Sequence, residues 1–230
     1  MILGLICARG GSKRLPEKNL KTIQGKSLLA LSIEHAKSCK LINKIIVSTD
    51  CPRIATEAKK NGAEVPFMRP KYLAKDDTPE WVVWKHALKF YSKKKIEALV
   101  ITPTTSPLRN KIDIEKAINI FFSQKCDGVI SVTESYRNPT FNIVKENRDK
   151  FAELAIKNKQ KIYRSQDAEK YYDLTTVCYV VEPKFVLTKK HLFEGKLKLN
   201  FVPKDRSIDI DTKHDLLWAR FLVKQSSFEN

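Results

Sequence analysis

The sequence contains few of the residues on which several common protein classes depend. Only seven glycines and four histidines occur among its 230 residues, and it has neither a Walker A loop nor a glycine-rich dinucleotide-binding fingerprint. His35 and His86 fall within predicted helices, where we expect a satisfied packing role. No Gly-x-Ser-x-Gly elbow and no pairing of a nucleophile with histidine is recognisable, which disfavours covalent hydrolase chemistry.

Long apolar runs are absent as well. No stretch approaches the ~20 residues that span a bilayer, so we expect no membrane partner. Residues 1–8 are too short for a secretory signal, and the charges follow this stretch instead of preceding it. The five cysteines are odd in number and form no Cys-x-x-Cys pair or Cys/His cluster suited to zinc. These observations favour a cytoplasmic protein with free, mostly buried thiols.

Acidic residues are scarce relative to basic ones: 26 Asp and Glu face 43 Lys and Arg, for a net charge of +17. A charge this positive attracts polyanions, so binding to nucleic acid has to be considered. Lysine provides most of the excess and is scattered along the chain, which is typical of solvated helix faces. We therefore expect no nucleic-acid partner, and a basic nucleic-acid-binding protein without catalytic activity is the alternative from another class.

Short apolar runs alternate with stretches of helical spacing in the first half of the chain. We predict strands at residues 2–7, 44–48, 64–67, 98–101 and 128–132, and helices at residues 27–38, 52–60, 79–91 and 111–122. This alternation indicates βαβ units and a largely parallel sheet covered on both faces. It breaks after Thr133 with a polar excursion, interpreted as a β-ribbon for oligomerisation. Strands at 175–181 and 199–202 and a helix at 213–223 follow.

The stretch ARGGSKRLPEKNL, residues 8–20, directly follows the first predicted strand, where open α/β sheets bind ligands. Gly10 and Gly11 permit positive φ and close approach of the backbone, so successive N–H groups can form an anion-binding nest. Hydroxyl and cationic side chains surround the same point: Arg9, Ser12, Lys13 and Lys18. The alternative is a surface turn with incidental charge.

The stretch SIDIDT, residues 207–212, carries two carboxylates. Asp209 and Asp211 lie two apart, so in an extended segment both point to one side, while Ile208 and Ile210 point into the core. Two hard oxygen ligands suit Mg²⁺, which proteins hold with one or two carboxylates plus substrate phosphates. An exposed strand edge is the alternative. With the basic loop, this pair meets the needs of metal-assisted transfer at a nucleoside triphosphate.

Further candidates stand in two other predicted loops. Arg69 is a candidate anion ligand, and Arg109 is a candidate ligand for phosphate or carboxylate. The alternative for Arg109 is a structural helix-entry turn with Asn110 as the N-cap. Trp81 and Trp84 lie three apart on a predicted helix, which favours a place in the core over contact with a cofactor.

Taken together, these stretches resemble those of a known family. The stretches ARGGSKRLPEKNL, IIVSTD, RPKYLAKDDTPEW, TSPLR and SIDIDT occur in the order and rough spacing of the CMP-sialic acid synthetases (acylneuraminate cytidylyltransferases). The resemblance spans nearly the whole chain. It implies one Rossmann-like α/β nucleotidyltransferase domain over residues 1–230, with a mostly parallel sheet and a dimerisation excursion at about residues 135–173.

The resemblance also implies the reaction and its participants. CMP would pass from CTP to the anomeric hydroxyl of an acidic 2-keto-3-deoxy sugar in a Mg²⁺-dependent homodimer, with release of pyrophosphate. Lys18 would stabilise charge at the α-phosphate beside Arg9, and Asp209 and Asp211 would hold the metal, with Asp211 also assisting deprotonation of the sugar hydroxyl. CTP would contact Arg9, Gly10, Gly11, Ser12, Lys13, Lys18 and Asn19, and its cytosine would lie near Arg69, Thr78 and Pro79. The sugar would contact Thr104, Ser106, Arg164, Gln166 and Tyr179.

Departures from the family pattern fall on the sugar side. Pro103 stands where sialic acid enzymes commonly carry glutamine, and Thr175–Thr176 replace an Asn-Gly pair. Ser165 and Asp173 replace two expected arginines. A legionaminic-, pseudaminic- or ketodeoxyoctulosonic-type acid is therefore as good a candidate acceptor as N-acetylneuraminate. An alditol phosphate is the alternative acceptor outside the sugar acids.

Overall fold

The computed structural model describes residues 1–157 and 169–226. Its strands are β1 (Ile2–Cys7), β2 (Thr22–Ile23), β3 (Lys26–Ser27), β4 (Lys44–Ser48), β5 (Ala98–Ile101), β6 (Gly128–Glu134), β7 (Val144–Glu146), β8 (Ala152–Leu154), β9 (Tyr172–Val181) and β10 (Leu197–Phe201). Its helices are α1 (Leu28–Ser38), α2 (Pro52–Lys60), α3 (Glu80–Phe90), α4 (Lys111–Ser123), α5 (Pro183–Thr188) and α6 (Lys213–Ser226). This order confirms the predicted α/β class. None of these helices combines the length and the apolar character that a bilayer crossing requires.

Six strands form the central sheet in the order β10-β6-β9-β5-β1-β4. β1 pairs in parallel with β4 and β5, and β10 pairs in parallel with β6. β9 runs antiparallel to both β5 and β6, so the sheet is mostly parallel with one reversed strand. The sequence did not predict this reversal. It follows from the chain path, because the excursion leaves the carboxyl end of β6 and enters β9 at that same end of the strands, where Glu134 pairs with Tyr172.

Apolar side chains cover both faces of the sheet, since alternate residues of a strand point to opposite sides. Leu5 of β1 packs on one face with Trp81 and Trp84 of α3. Val100 of β5 packs on the other face with Ile114 of α4. The two tryptophans are 6% and 3% exposed, which confirms their predicted place in the core.

Helix α4 begins at the predicted residue, but the arginine before it, Arg109, does not have the predicted role. Asn110 Oδ1 accepts from the Ile112 backbone N–H, and the Asn110 N–H donates to Asp113, which makes Asn110 the N-cap. Arg109 is 2% exposed and donates to the Pro103 carbonyl and to a serine hydroxyl of α1. The expectation that Arg109 binds an anion is therefore wrong, because its guanidinium is buried as a brace beneath the loop.

The strand predicted at residues 64–67 does not form. Only isolated bridges connect this segment to the edge of the sheet, at Ile46 with Glu64 and at Thr49 with Met68. Pro66 lies between these bridges and has no N–H to donate, so a continuous ladder is broken.

The excursion after β6 contains an antiparallel ribbon of β7 and β8, which pair from Val144 with Leu154 to Glu146 with Ala152. The predicted ribbon is thus confirmed, and its role in oligomerisation stays a prediction. Residues 158–168 of the predicted excursion lie outside the described residues.

His35 of α1 is the most strongly perturbed histidine in the described part of the chain. Its Nδ1 is buried without a hydrogen-bond partner among the described residues, so the expected packing position is correct but its polar group is not satisfied. Burial lowers the pKa of His35 to about 4, and the positive charge of Arg109 adds to this effect.

We expect this histidine to make stability depend on pH. The folded protein keeps His35 neutral down to about pH 4, whereas the unfolded chain binds the proton near 6.5. The unfolding free energy therefore falls as the pH drops through this window, by ~3 kcal/mol at most. His35→Gln should remove this component when urea denaturation is compared at pH 7 and pH 4.5. His191→Gln, which changes an exposed histidine, should keep the wild-type dependence, and an equal loss in wild type and His35→Gln would contradict the assignment.

Candidate active site

A cavity of about 640 Å³ opens at the carboxyl ends of β1 and β5. Its volume lies in the range of small-molecule sites. Residues from five separate segments form its wall: the loop after β1, the segment leading into α3 with the first turn of that helix, the loop after β5, the first half of β9 and the segment before α6. These segments include the loops that the sequence singled out, and the fold brings them together.

The doubled glycine has a different role from the one predicted. The Gly10 N–H donates to Asp50 Oδ1 at 2.9 Å, and a Cβ on Gly10 would lie 3.0 Å from the Cβ of Cys51. Neither Gly10 nor Gly11 adopts a positive φ, and neither contributes to the cavity wall. The expected nest of free N–H groups is therefore wrong at Gly10. Close packing against the start of α2 explains the glycine there.

Asn19 ties the loop to the end of β5. It is 5% exposed, its Nδ2 donates to the Arg9 carbonyl at 2.8 Å, and its Oδ1 accepts from Thr104 Oγ1 at 2.6 Å. Asn19 and Thr104 both lie in the cavity wall, and their contacts with CTP and the sugar stay predictions. Their polar groups, however, also hold the loop in place, a bracing role that the sequence did not indicate.

Two carboxylates hold four cations of the loop. Lys18 Nζ lies 3.1 Å from Asp211 Oδ1, and Arg14 lies 2.9 Å from Asp211 Oδ2. Arg9 and Lys13 each lie 2.6 Å from one oxygen of Asp76, and the hydrogen bond from Lys13 holds the pKa of Asp76 below its usual value. Arg14 and Asp76 were not predicted as site residues, although both stand inside the stretches that carry the family resemblance.

The carboxylate pair has the predicted alternating geometry. Asp209 and Asp211 both line the cavity, while Ile210 between them is fully buried. Two carboxylates beside a cationic wall suit Mg²⁺ bound together with phosphates. The described residues contain no cluster of three or more acidic, histidine or cysteine side chains that could hold a metal alone. The donor set therefore fits a metal that arrives with a phosphate ligand.

The wall near α3 contains one predicted and one unpredicted ionisable residue. Arg69 is 6% exposed and donates to the Ser48 hydroxyl and carbonyl at 3.0 and 2.5 Å. Glu80 also lines the cavity and is exposed toward it. The surrounding protein partly removes water from its carboxyl and so raises its pKa, while the positive charge of Arg69 opposes that rise. Thr78 lies in the wall, whereas Pro79 lies outside it.

Two predicted sugar contacts lie outside the wall. Ser106 is fully buried and hydrogen-bonds to Thr176 Oγ1 at 2.7 Å. Tyr179 packs in the core with its ring centroid 5.7 Å from that of Trp84. Direct contact of either side chain with a ligand in this cavity is therefore a wrong expectation, because both lie beneath its surface. Arg164 and Gln166 fall outside the described residues.

Comparison with known proteins adds sequence relatives. The sequence matches the profile of the cytidylyltransferase family over residues 3–219. It is 32% identical over 232 residues to post-translational flagellin modification protein B of Campylobacter coli, covering 99% of this chain and 97% of that protein. It is 34% identical over 226 residues to CMP-N,N'-diacetyllegionaminic acid synthase of Campylobacter jejuni, covering 96% of this chain and 94% of that protein.

A solved structure shares the fold. CMP:2-keto-3-deoxy-manno-octonic acid synthetase complexed with CTP superposes with a TM-score of 0.74 at 17% identity, covering 98% of this chain and 99% of that one. An identity this low carries the fold alone.

Proposed function

The chain belongs to the cytidylyltransferase family, and on that premise we propose that it transfers CMP from CTP to the anomeric hydroxyl of an acidic 2-keto-3-deoxy sugar, releasing pyrophosphate. The observation that carries this proposal is the meeting of a basic loop and a carboxylate pair in one cavity. Lys18 and Asp211 lie 193 positions apart in sequence and 3.1 Å apart in space. The named synthase from Campylobacter jejuni supports an acidic nonulosonic acceptor.

The charges of the wall favour a polyanionic ligand. Six cationic and four acidic side chains line the cavity, so a triphosphate enters a site of net positive charge. The Lys18 side chain is 17% exposed, against 84% for Lys13 and 70% for Arg14. Among the four cations of the loop its charge is therefore screened least by water, since the Arg9 side chain is 32% exposed, and it is the loop cation best suited to stabilise charge that develops at the α-phosphate.

The acidic pair has two tasks in this proposal. Asp209 and Asp211 would hold a divalent metal, Mg²⁺ in our proposal, which when bound supplies positive charge to the phosphates. Asp211 now shares its oxygens with Lys18 and Arg14, so a bound triphosphate would take over those cations and release the carboxylate. A carboxylate released in this way can accept the proton of the attacking sugar hydroxyl.

We also propose a homodimer that forms through the excursion. Large apolar side chains are exposed there: Val144 at 63%, Phe151 at 71% and Ile156 at 45%. Such a concentration is typical of interaction surfaces, and sedimentation of the purified protein measures the oligomeric state directly.

CTP is a cytoplasmic nucleotide, so the proposed reaction agrees with the cytoplasmic location expected from the sequence.

Product analysis tests the reaction itself. Incubation with CTP, Mg²⁺ and a panel of sialic, legionaminic, pseudaminic and ketodeoxyoctulosonic acids should yield a CMP-sugar by mass spectrometry with at least one acid. Product formed only with a phosphorylated alditol would overturn the sugar-acid assignment. Salt-dependent binding to nucleic acid without any CTP turnover would favour the non-catalytic alternative.

We expect Asp211→Ala to abolish Mg²⁺-dependent turnover while the protein stays folded, because the side chain is 35% exposed and supports no core. Calorimetry should show that Mg²⁺ no longer strengthens CTP binding. Asp205→Ala removes an exposed carboxylate outside the cavity wall and should leave both properties unchanged. Activity retained in Asp211→Ala would refute the metal assignment.

Lys18→Ala should lower kcat by about 100- to 1,000-fold, the size expected for loss of one charge aimed at the transition state. KM for CTP should change only a few-fold, because the contribution belongs to the transition state. Lys21→Ala changes a lysine three positions away that does not line the cavity, and it serves as the matched control. A Lys18→Ala variant altered only in CTP affinity would assign Lys18 a binding role.

A further inference from the structure

Strand β9 places a threonine beside Asp209, one member of the carboxylate pair. Thr176 lines the cavity, and its Oγ1 lies 3.0 Å from Asp209 Oδ1. The same oxygen lies 2.8 Å from Thr105 Oγ1 and 2.7 Å from Ser106 Oγ. Three hydroxyls from two segments thus converge next to one carboxylate.

The direction of these hydrogen bonds follows from counting protons. A hydroxyl has one proton to donate and two lone pairs, and an ionised carboxylate can only accept, so the Thr176 proton goes to Asp209. The Thr176 lone pairs then accept the protons of Thr105 and Ser106. Ser106 is fully buried, so this bond also satisfies a polar group that water cannot reach. Each bond in such a chain polarises the next.

A backbone contact fixes the same carboxylate from the other side. The Ile210 N–H donates to the Thr105 carbonyl at 2.8 Å, and the fully buried Ile210 side chain anchors the segment. Asp209 is thus held in two ways: the backbone next to it is bonded to Thr105 through the Ile210 N–H, and its own Oδ1 accepts from Thr176. Oδ2 has no part in the bond to Thr176, and the carboxylate remains exposed toward the cavity.

We propose that Thr176 is a positioning residue that holds Asp209 in the orientation required for binding a divalent cation together with the nucleotide. The inference rests on the proposed function, since it takes Asp209 as a metal ligand. Partners that orient a ligating carboxylate are worth about 10- to 100-fold in metal affinity. The resemblance places Thr175–Thr176 where the CMP-sialic acid synthetases carry an Asn-Gly pair, so Thr176 adds a hydroxyl that this pattern lacks.

The test measures how CTP binding depends on Mg²⁺, by calorimetry without any sugar acceptor. Thr176→Val keeps the shape and removes the hydroxyl, and we expect it to raise the Mg²⁺ concentration for half-maximal CTP binding by about tenfold or more. Thr176→Ser restores the hydroxyl and should return this concentration to within about twofold of wild type.

The neighbouring threonine provides a matched control. Thr175 donates to the Ser131 carbonyl at 3.3 Å and does not line the cavity, so Thr175→Val should keep the wild-type Mg²⁺ dependence. In an Asp209→Ala background, Thr176→Val should have no further effect, because it would act only through that carboxylate.

Three outcomes would overturn the proposal: an unchanged Mg²⁺ dependence in Thr176→Val, failure of Thr176→Ser to rescue, or a change confined to KM for the sugar. The last would instead make Thr176 a direct sugar contact. Wild-type protein whose CTP binding ignores Mg²⁺ and that forms no CMP-sugar would contradict the proposed function itself. If instead Mg²⁺ strengthens CTP binding equally in wild type and in Thr176→Val, the proposed function stands and only the role of Thr176 is refuted.

Discussion

A small apolar cluster beneath the cavity is the constraint on which the site depends. Leu15 of the basic loop and Ile210 of the carboxylate segment are buried in this cluster, together with Ile23, Leu28, Leu216 and Ala219. Burial of one large apolar side chain contributes about 1.5–3 kcal/mol, more than an exposed ion pair does. The cluster therefore joins two segments from opposite ends of the sequence. Lys18 and Asp211 meet because their near neighbours are packed together.

The cluster makes the charges of the site face one another before any ligand is present. Asp211 holds Lys18 and Arg14, and Asp76 holds Arg9 and Lys13. These carboxylates keep the cations extended and close to where phosphate oxygens would bind, which lowers the ordering cost of binding. Fully buried Ile210 anchors the segment that carries Asp211, and the hydrogen bonds of Asn19 anchor the basic loop.

Local patterns predicted much of the fold and six of the ten charged residues that line the cavity. The five predicted helices begin at or next to the predicted residues, because caps such as Asn110 are local signals, whereas the short helix α5 was not predicted. The reversal of β9 was not predicted, since it depends on where the excursion returns the chain. The bracing by Asn19 was also missed, and for Arg109 the structural alternative holds over anion binding. Both depend on partners distant in sequence, and an arginine in a loop looks the same whether it meets a ligand or a carbonyl.

The two halves of the cavity differ in how strictly they follow the family pattern, and the structure gives a physical reason. In the proposed function, the basic loop after β1 binds the triphosphate of CTP, which does not change with the acceptor. The other half is assembled from the end of β5 and the beginning of β9, where the departing residues Pro103 and Thr176 both line the wall. A threonine in place of glycine adds a hydroxyl and a methyl group to that wall. In the proposed function, it would change the space left for the acceptor and the support of Asp209 at once. Acceptor choice and metal placement would then be coupled through one strand, while the basic loop could remain unchanged.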